Sequence, residues 1–157
     1  ERIEWPAQLD VKFVWPGRPA RTRELVRTVR HLELDAPARY RAAMDALREA
    51  ADELLTAIEN ADADRAVRAA AAHGLAMGAL GDSAGAPIVT AELERIAEIA
   101  RSCGGGAKPS GAGGGDVALA FFSDVESGVR FEAACARSGL TLLSLALGAD
   151  GVRAEET

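Results

Sequence analysis

Gly104-Gly105-Gly106-Ala107-Lys108-Pro109-Ser110-Gly111-Ala112-Gly113-Gly114-Gly115-Asp116 runs straight into Val117-Ala118-Leu119-Ala120-Phe121-Phe122. The second stretch is a continuous apolar run of strand length. The first is too short and too specifically punctuated for a flexible linker. Glycine reaches positive φ and lets backbone N–H groups approach a bound oxyanion with no Cβ in the way, and successive N–H groups then form an anion nest. Ser110 adds a hydroxyl donor, and Lys108 a charge that a phosphate or carboxylate favours. Two familiar phosphate loops are excluded. In a Walker A loop the lysine follows the glycines, whereas Lys108 precedes the main run; in the dinucleotide fingerprint a glycine stands where Asp116 does and a helix follows. On composition alone, a plain turn between two strands stays open beside the anion site.

Outward from this loop the chain alternates strand and helix signals. Leu9, Val11, Phe13 and Trp15 alternate with Asp10 and Lys12, which predicts a half-buried strand ended by Pro16-Gly17-Arg18-Pro19. Leu25, Val26, Val29 and Leu32 then fall at helical spacing. Asp35 is placed to cap a second helix with Pro37 in its first turn and a stripe of Met44, Leu47, Ala51, Leu54, Leu55 and Ile58. Asn60-Ala61-Asp62 breaks it, a third helix covers Ala63 to Leu80, and Gly81 to Pro87 reads as a loop. Thr90 caps a fourth helix with Leu93, Ile96, Ala97 and Ala100 inside. Beyond Phe122, Asp124 starts a helix to about Ser138, Leu140 to Leu147 reads as a last strand, and the tail from Gly148 is polar. The order of strand, four helices, glycine loop, strand, helix, strand predicts an α+β two-layer sandwich. A small, largely antiparallel sheet would carry helices on one face, in a single domain over residues 1–157.

Composition narrows the partners. With 157 residues the chain is long enough for one core, and its net charge of −6 repels polyanions, so nucleic acid is not expected. No apolar run reaches the length of a membrane span and the first residues lack the pattern of a signal peptide. Cys103 and Cys135 have no metal-ligand spacing and read as buried small residues, which fits a reducing cytoplasm. His31 and His73 have no partner at metal or triad spacing and read as structural; Trp5 and Trp15 read as packing residues. The chain begins Glu1-Arg2-Ile3 without methionine, as expected of a piece of a longer protein.

The string from Lys108 to Asp116 resembles the third motif of the GHMP kinases, a family of small-molecule kinases that includes galactokinase, homoserine kinase and mevalonate kinase. Within it, Ser110-Gly111-Ala112-Gly113-Gly114-Gly115-Asp116 is most similar to the phosphomevalonate kinases, since mevalonate kinases usually carry a glycine where Asp116 stands. Val11 to Thr22 is similar to the segment in which a strand of that branch ends in Trp-Thr-Gly, with Pro16 replacing the threonine, and Ala86-Pro87-Ile88-Val89-Thr90 matches the family's approach to the glycine loop.

The resemblance implies a ferredoxin-like C-terminal domain whose N-terminal GHMP domain, with the ATP-binding loop, is not in this sequence. It implies ATP and Mg2+ as cofactors, bound mainly by that other domain, and a phosphorylated small molecule as acceptor. Lys108, Ser110, Gly111, Ala112, Gly113, Gly114 and Asp116 would line the acceptor side, with Ser110, Gly111 and Ala112 as the chief phosphate contacts; no catalytic or metal-ligating residue is expected in this half. Asp116 reads as capping the loop's own N–H groups in preference to touching Mg2+. Arg18 and Arg21, where a strand runs into a helix N-terminus, are weaker anion candidates. A related mevalonate or sugar kinase, or a non-catalytic ligand-binding or association module, is the alternative.

Overall fold

A computed structural model describes residues 5–145 and 147. β1 (Asp10–Trp15) leads into α1 (Thr22–Asp35), α2 (Pro37–Glu59), α3 (Ala63–Ala84) and α4 (Ala91–Ser102). Then come β2 (Gly106–Pro109), β3 (Ala118–Phe122), α5 (Val125–Arg137) and β4 (Thr141–Leu143). The sheet order is β2-β3-β1-β4, and every pairing is antiparallel. Two split β-α-β units, β1-α4-β2 and β3-α5-β4, interleave in the ferredoxin-like way, with α1 to α3 inserted after β1. The expected α+β class and antiparallel sheet are therefore present, but the helices do not keep to one face: α4 and α5 cover one, and α2 and α3 pack on the other, where Leu9, Val11 and Phe121 give it an apolar patch.

Register explains the core. Val14, Ala118, Ala120 and Phe122 point to the face covered by α4 and α5, where they pack with Leu93, Ile96, Phe131 and Cys135. Phe122 and Phe131 are fully buried with ring centroids 5.1 Å apart. Thr90 and Asp124 cap α4 and α5, accepting from the N–H groups of Leu93 and Ser127. Lys12 lies on this same face as Val14 and bridges Asp10 at 3.2 Å and Glu132 of α5 at 2.7 Å. The opposite face adds a second cluster, in which Leu9, Val11 and Phe121 meet Ala57, Ala63, Ala66, Val67 and Ala70 of α2 and α3. Beyond it Phe13, Leu119 and Leu143 stay partly exposed and Trp15 is exposed. Among the described residues no helix is long and apolar enough to cross a membrane.

The chain departs from the sequence expectation in several places. The glycine stretch contains a strand: Gly106 to Pro109 pairs with Ala118 to Phe121, and Pro109 is tolerated because β2 is an edge. Gly106 is glycine because a Cβ there would lie 2.3 Å from the Val67 carbonyl of α3. The α3 helix does not stop at Leu80 but runs through Gly81, where a Cβ would crowd the Ala86 carbonyl, to a left-handed Gly85. Asp35 ends α1 and does not cap α2, whose N-cap Ala36 makes no side-chain bond and whose Pro37 sits at the first position. Along α2 the buried stripe runs through Ala50 and Ala57, while Ala51 and Leu55 face solvent. Trp5 and Trp15 are both exposed, although the Trp5 indole N–H donates to Leu9 O at 3.0 Å. Of the cysteines, both free, only Cys135 is fully buried. β4 spans three residues, and the rest of the stretch read as a strand includes Ala146, which with the tail from Gly148 lies outside the described residues.

Candidate functional site

The main glycine run sits at the tip of the β2–β3 hairpin. Ser110 N–H donates to Val117 O at 2.8 Å and closes the hairpin. Inside this bond the loop divides into two halves. In Gly113, Gly114 and Gly115, φ is +79°, +75° and +142°, and the first and last are buried. A Cβ on Gly113 would fall 2.2 Å from Ile88 O, and one on Gly115 would fall 2.7 Å from Arg18 O. Gly114 N–H donates to Ile88 O at 2.7 Å and Asp116 N–H to Arg18 O at 2.9 Å. The glycines therefore let the hairpin tip lie directly on two carbonyls, one from the approach to α4 and one from the turn after β1. The other half, Ser110-Gly111-Ala112, is exposed, and among the described residues no atom beyond Gly111 and its two chain neighbours lies within 4 Å of where a Gly111 Cβ would be.

This geometry sorts the sequence-derived candidates. Among the described residues, the N–H groups of Gly111 and Ala112 and the Ser110 hydroxyl have no protein hydrogen-bond partner and are exposed; the N–H groups of Gly113 and Gly115 are also without one but belong to buried residues, and those of Ser110, Gly114 and Asp116 are taken. Asp116 does not cap the loop's own N–H groups. Its Oδ1 accepts from Ala20 N–H at 3.1 Å, ahead of α1, because the hairpin folds onto that segment.

Lys108 projects from β2 in the row that holds Leu119 and Phe13, and its Nζ donates to Pro109 O at 2.8 Å. Burial lowers its pKa, and no carboxylate pairs with it among the described residues. Burial first, and then the Lys108 charge, also hold His73 below the usual imidazole value, with Nδ1 buried and without a partner among the described residues.

Arg18 and Arg21 are brought to the loop: with Pro19, Leu25, Pro87 and Gly114 they line a groove of about 470 Å³. Arg18 is tied to Glu92 at 3.1 Å, and Arg21 stands beside Glu24 at 3.6 Å. The Ile88 and Arg18 carbonyls were not among the candidates, since no side-chain type marks a backbone acceptor. A larger groove of about 550 Å³ between α3 and α4 is lined by small residues such as Gly74, Gly78 and Ala97 together with charged ones, Lys108 and Glu98 among them.

The fold is thus a split β-α-β sandwich with helices inserted after β1 and a clamped glycine hairpin at one end. Residues 54–139 match the family model described as GHMP kinases C terminal, more than half of the chain, and the chain belongs to that family. It is 29% identical over 120 residues to a phosphomevalonate kinase of Streptomyces sp. (strain CL190), a match covering 76% of this chain and 32% of that protein. A Lin0012 protein from Listeria innocua superposes with a TM-score of 0.85 at 25% identity, covering 91% of this chain and 40% of that one. Streptococcus pneumoniae phosphomevalonate kinase, in complex with phosphomevalonate and AMPPNP, superposes with a TM-score of 0.74 at 20% identity over 91% and 40% of the two chains. The chain thus spans about a third of the length of the curated relative it matches.

Proposed function

We propose that this chain is the acceptor-side domain of an ATP-dependent phosphotransferase that moves the terminal phosphoryl group of ATP onto a phosphate oxygen of phosphomevalonate, giving diphosphomevalonate and ADP. The observation that carries the reading is the divided hairpin: a locked glycine half supports an exposed half whose Ser110 hydroxyl and Gly111 and Ala112 N–H groups are unspent. Phosphoryl transfer rests on positioning and on preorganised donors where charge accumulates, and rigid backbone N–H groups provide this without reorganising. Arg18 and Arg21, in the groove beside Gly114 that Glu24 also lines, would serve a substrate that already bears one phosphate by exchanging Glu92 and Glu24 for it. Lys108, held by Pro109 O on the sheet face, would contribute as a nearby charge more than as a direct ligand.

ATP and Mg2+ belong to the proposal through the relatives. The Asp116 carboxylate is engaged with Ala20. On the resemblance to the family, the nucleotide and its cation are assigned chiefly to the N-terminal GHMP domain, the proposed partner of this one, in a cytoplasmic enzyme. The test is turnover by the intact protein on phosphomevalonate, mevalonate and a panel of sugars. The reading expects phosphomevalonate to be preferred; turnover of mevalonate or a sugar alone would move the protein elsewhere in its family, and an inert protein that still binds partners would favour an association module.

A further inference from the structure

Asp116 is the one non-glycine residue in the left-handed region at the hairpin tip, with φ +55°, directly after three glycines that adopt positive φ freely. A residue with a Cβ is disfavoured there, so backbone conformation alone would favour a fourth glycine. What the side chain contributes is visible in its contacts. Its Oδ1 accepts from Ala20 N–H at 3.1 Å, while its own N–H donates to Arg18 O at 2.9 Å, so one residue of the hairpin bonds two positions that precede α1. Gly115 brings the backbones close enough for this, its missing Cβ leaving room for the Arg18 and Pro19 carbonyls.

The recipient segment needs an acceptor. Ala20 N–H lies one residue ahead of Arg21, the N-cap of α1, which makes no side-chain capping bond of its own, so the carboxylate that accepts from Ala20 also stands near the positive end of the helix dipole. Arg18, the residue whose carbonyl Asp116 grips, is tied by its guanidinium to Glu92 in the first turn of α4. Asp116 thereby joins the hairpin to the entry of α1, and the Arg18 side chain links that entry to α4.

We infer that Asp116 is a positioning residue, whose carboxylate fixes the hairpin tip to the entry of α1 and so holds the Ser110-Gly111-Ala112 donors in place, and that it is not a ligand for a cation or substrate. The part concerning the donors rests on the functional reading above; the anchoring does not.

Three variants separate the roles. Asp116→Asn keeps an acceptor oxygen without the charge, Asp116→Gly suits the backbone but removes the acceptor, and Asp116→Ala removes it and keeps the strain. Amide exchange is followed by NMR on the intact protein, together with titration by inorganic phosphate and, separately, by Mg2+. Losing this anchor is expected to speed exchange of the Ala20 amide about tenfold in Asp116→Gly and Asp116→Ala, the order expected for one hydrogen bond. The phosphate response of the Gly111 and Ala112 amides should weaken in the same two variants, with Asp116→Asn staying close to wild type in both readouts. Wild-type exchange at Ala20 in Asp116→Gly would overturn the anchor. Asp116→Asn failing as badly as Asp116→Gly, or Mg2+ shifting the Asp116 amide in the wild type only, would overturn the positioning role in favour of a ligand. If wild type ignores phosphate while the Ala20 effect holds, the functional reading fails and the anchor stands.

Discussion

Gly114 N–H donates to Ile88 O at 2.7 Å, joining the tip of the β2–β3 hairpin to the segment that launches α4. This bond forms only because Gly113, beside it, has no Cβ to meet the same carbonyl, and it makes the glycine run a packing device as much as a loop.

Gly113→Ala and Gly111→Ala should therefore behave in opposite ways. Gly113 is buried at φ +79° with Ile88 O where its Cβ would go, so alanine there should cost about 2 kcal/mol or more. Gly111 faces open space, and alanine there should leave stability within about 0.5 kcal/mol of wild type. Urea unfolding of the two variants measures both.

The ferredoxin-like core makes a larger demand. Phe131 is fully buried under the sheet against Phe122, and Phe131→Ala should lose roughly 3–5 kcal/mol, enough to unfold a marginal domain. Phe131→Leu, which keeps most of the volume, should stay folded with a lowered Tm in a thermal melt.

A pH dependence follows from the α5 cap. The Ser127 hydroxyl and then its N–H, both 2.7 Å from the Asp124 carboxylate, hold that group below its ordinary pKa. A depressed carboxylate contributes stability that is fully present above the unfolded value, roughly 3.9, and is lost as pH falls through the lower folded one. Asp124→Asn caps comparably but does not titrate there. The Tm advantage of wild type over this variant should hold at neutral pH and shrink below about pH 4, again relative to the unfolded carboxylate.

Burial pushes the Cys135 thiol up to about 11, with the charges of Cys103 and Glu132 adding to the shift, while Cys103 is partly exposed. Native protein at pH 8 should consume about one equivalent of a thiol reagent, since the thiolate is the reactive species. Cys103→Ser should abolish the reaction, which mass spectrometry of the labelled protein reads directly.

The element order was legible because periodicity and caps agree: Thr90 and Asp124 cap α4 and α5 as their positions suggest. β2 was hidden by its composition. Gly106 and Pro109 are weak strand formers, and the glycine serves the close approach of Val67, a contact from far along the chain. Gly81 misled for the same reason, since its backbone neighbour Ala86 belongs to the next turn. Within the site, the residue types marked an anion loop, but the division into locked and free halves depends on the Ile88 and Arg18 carbonyls. The target of Asp116, Ala20, lies 96 residues away. No local pattern encodes such partners.

The most direct measurement of the central claim is steady-state kinetics of the intact protein carrying Gly111→Val together with Ala112→Val, on exposed positions where the fold has room. The account predicts an unchanged thermal melt with kcat/KM for phosphomevalonate reduced at least about a hundredfold, because the valine side chains keep the phosphate off N–H groups whose service as preorganised donors is of that order. Undiminished turnover by the folded variant would contradict it.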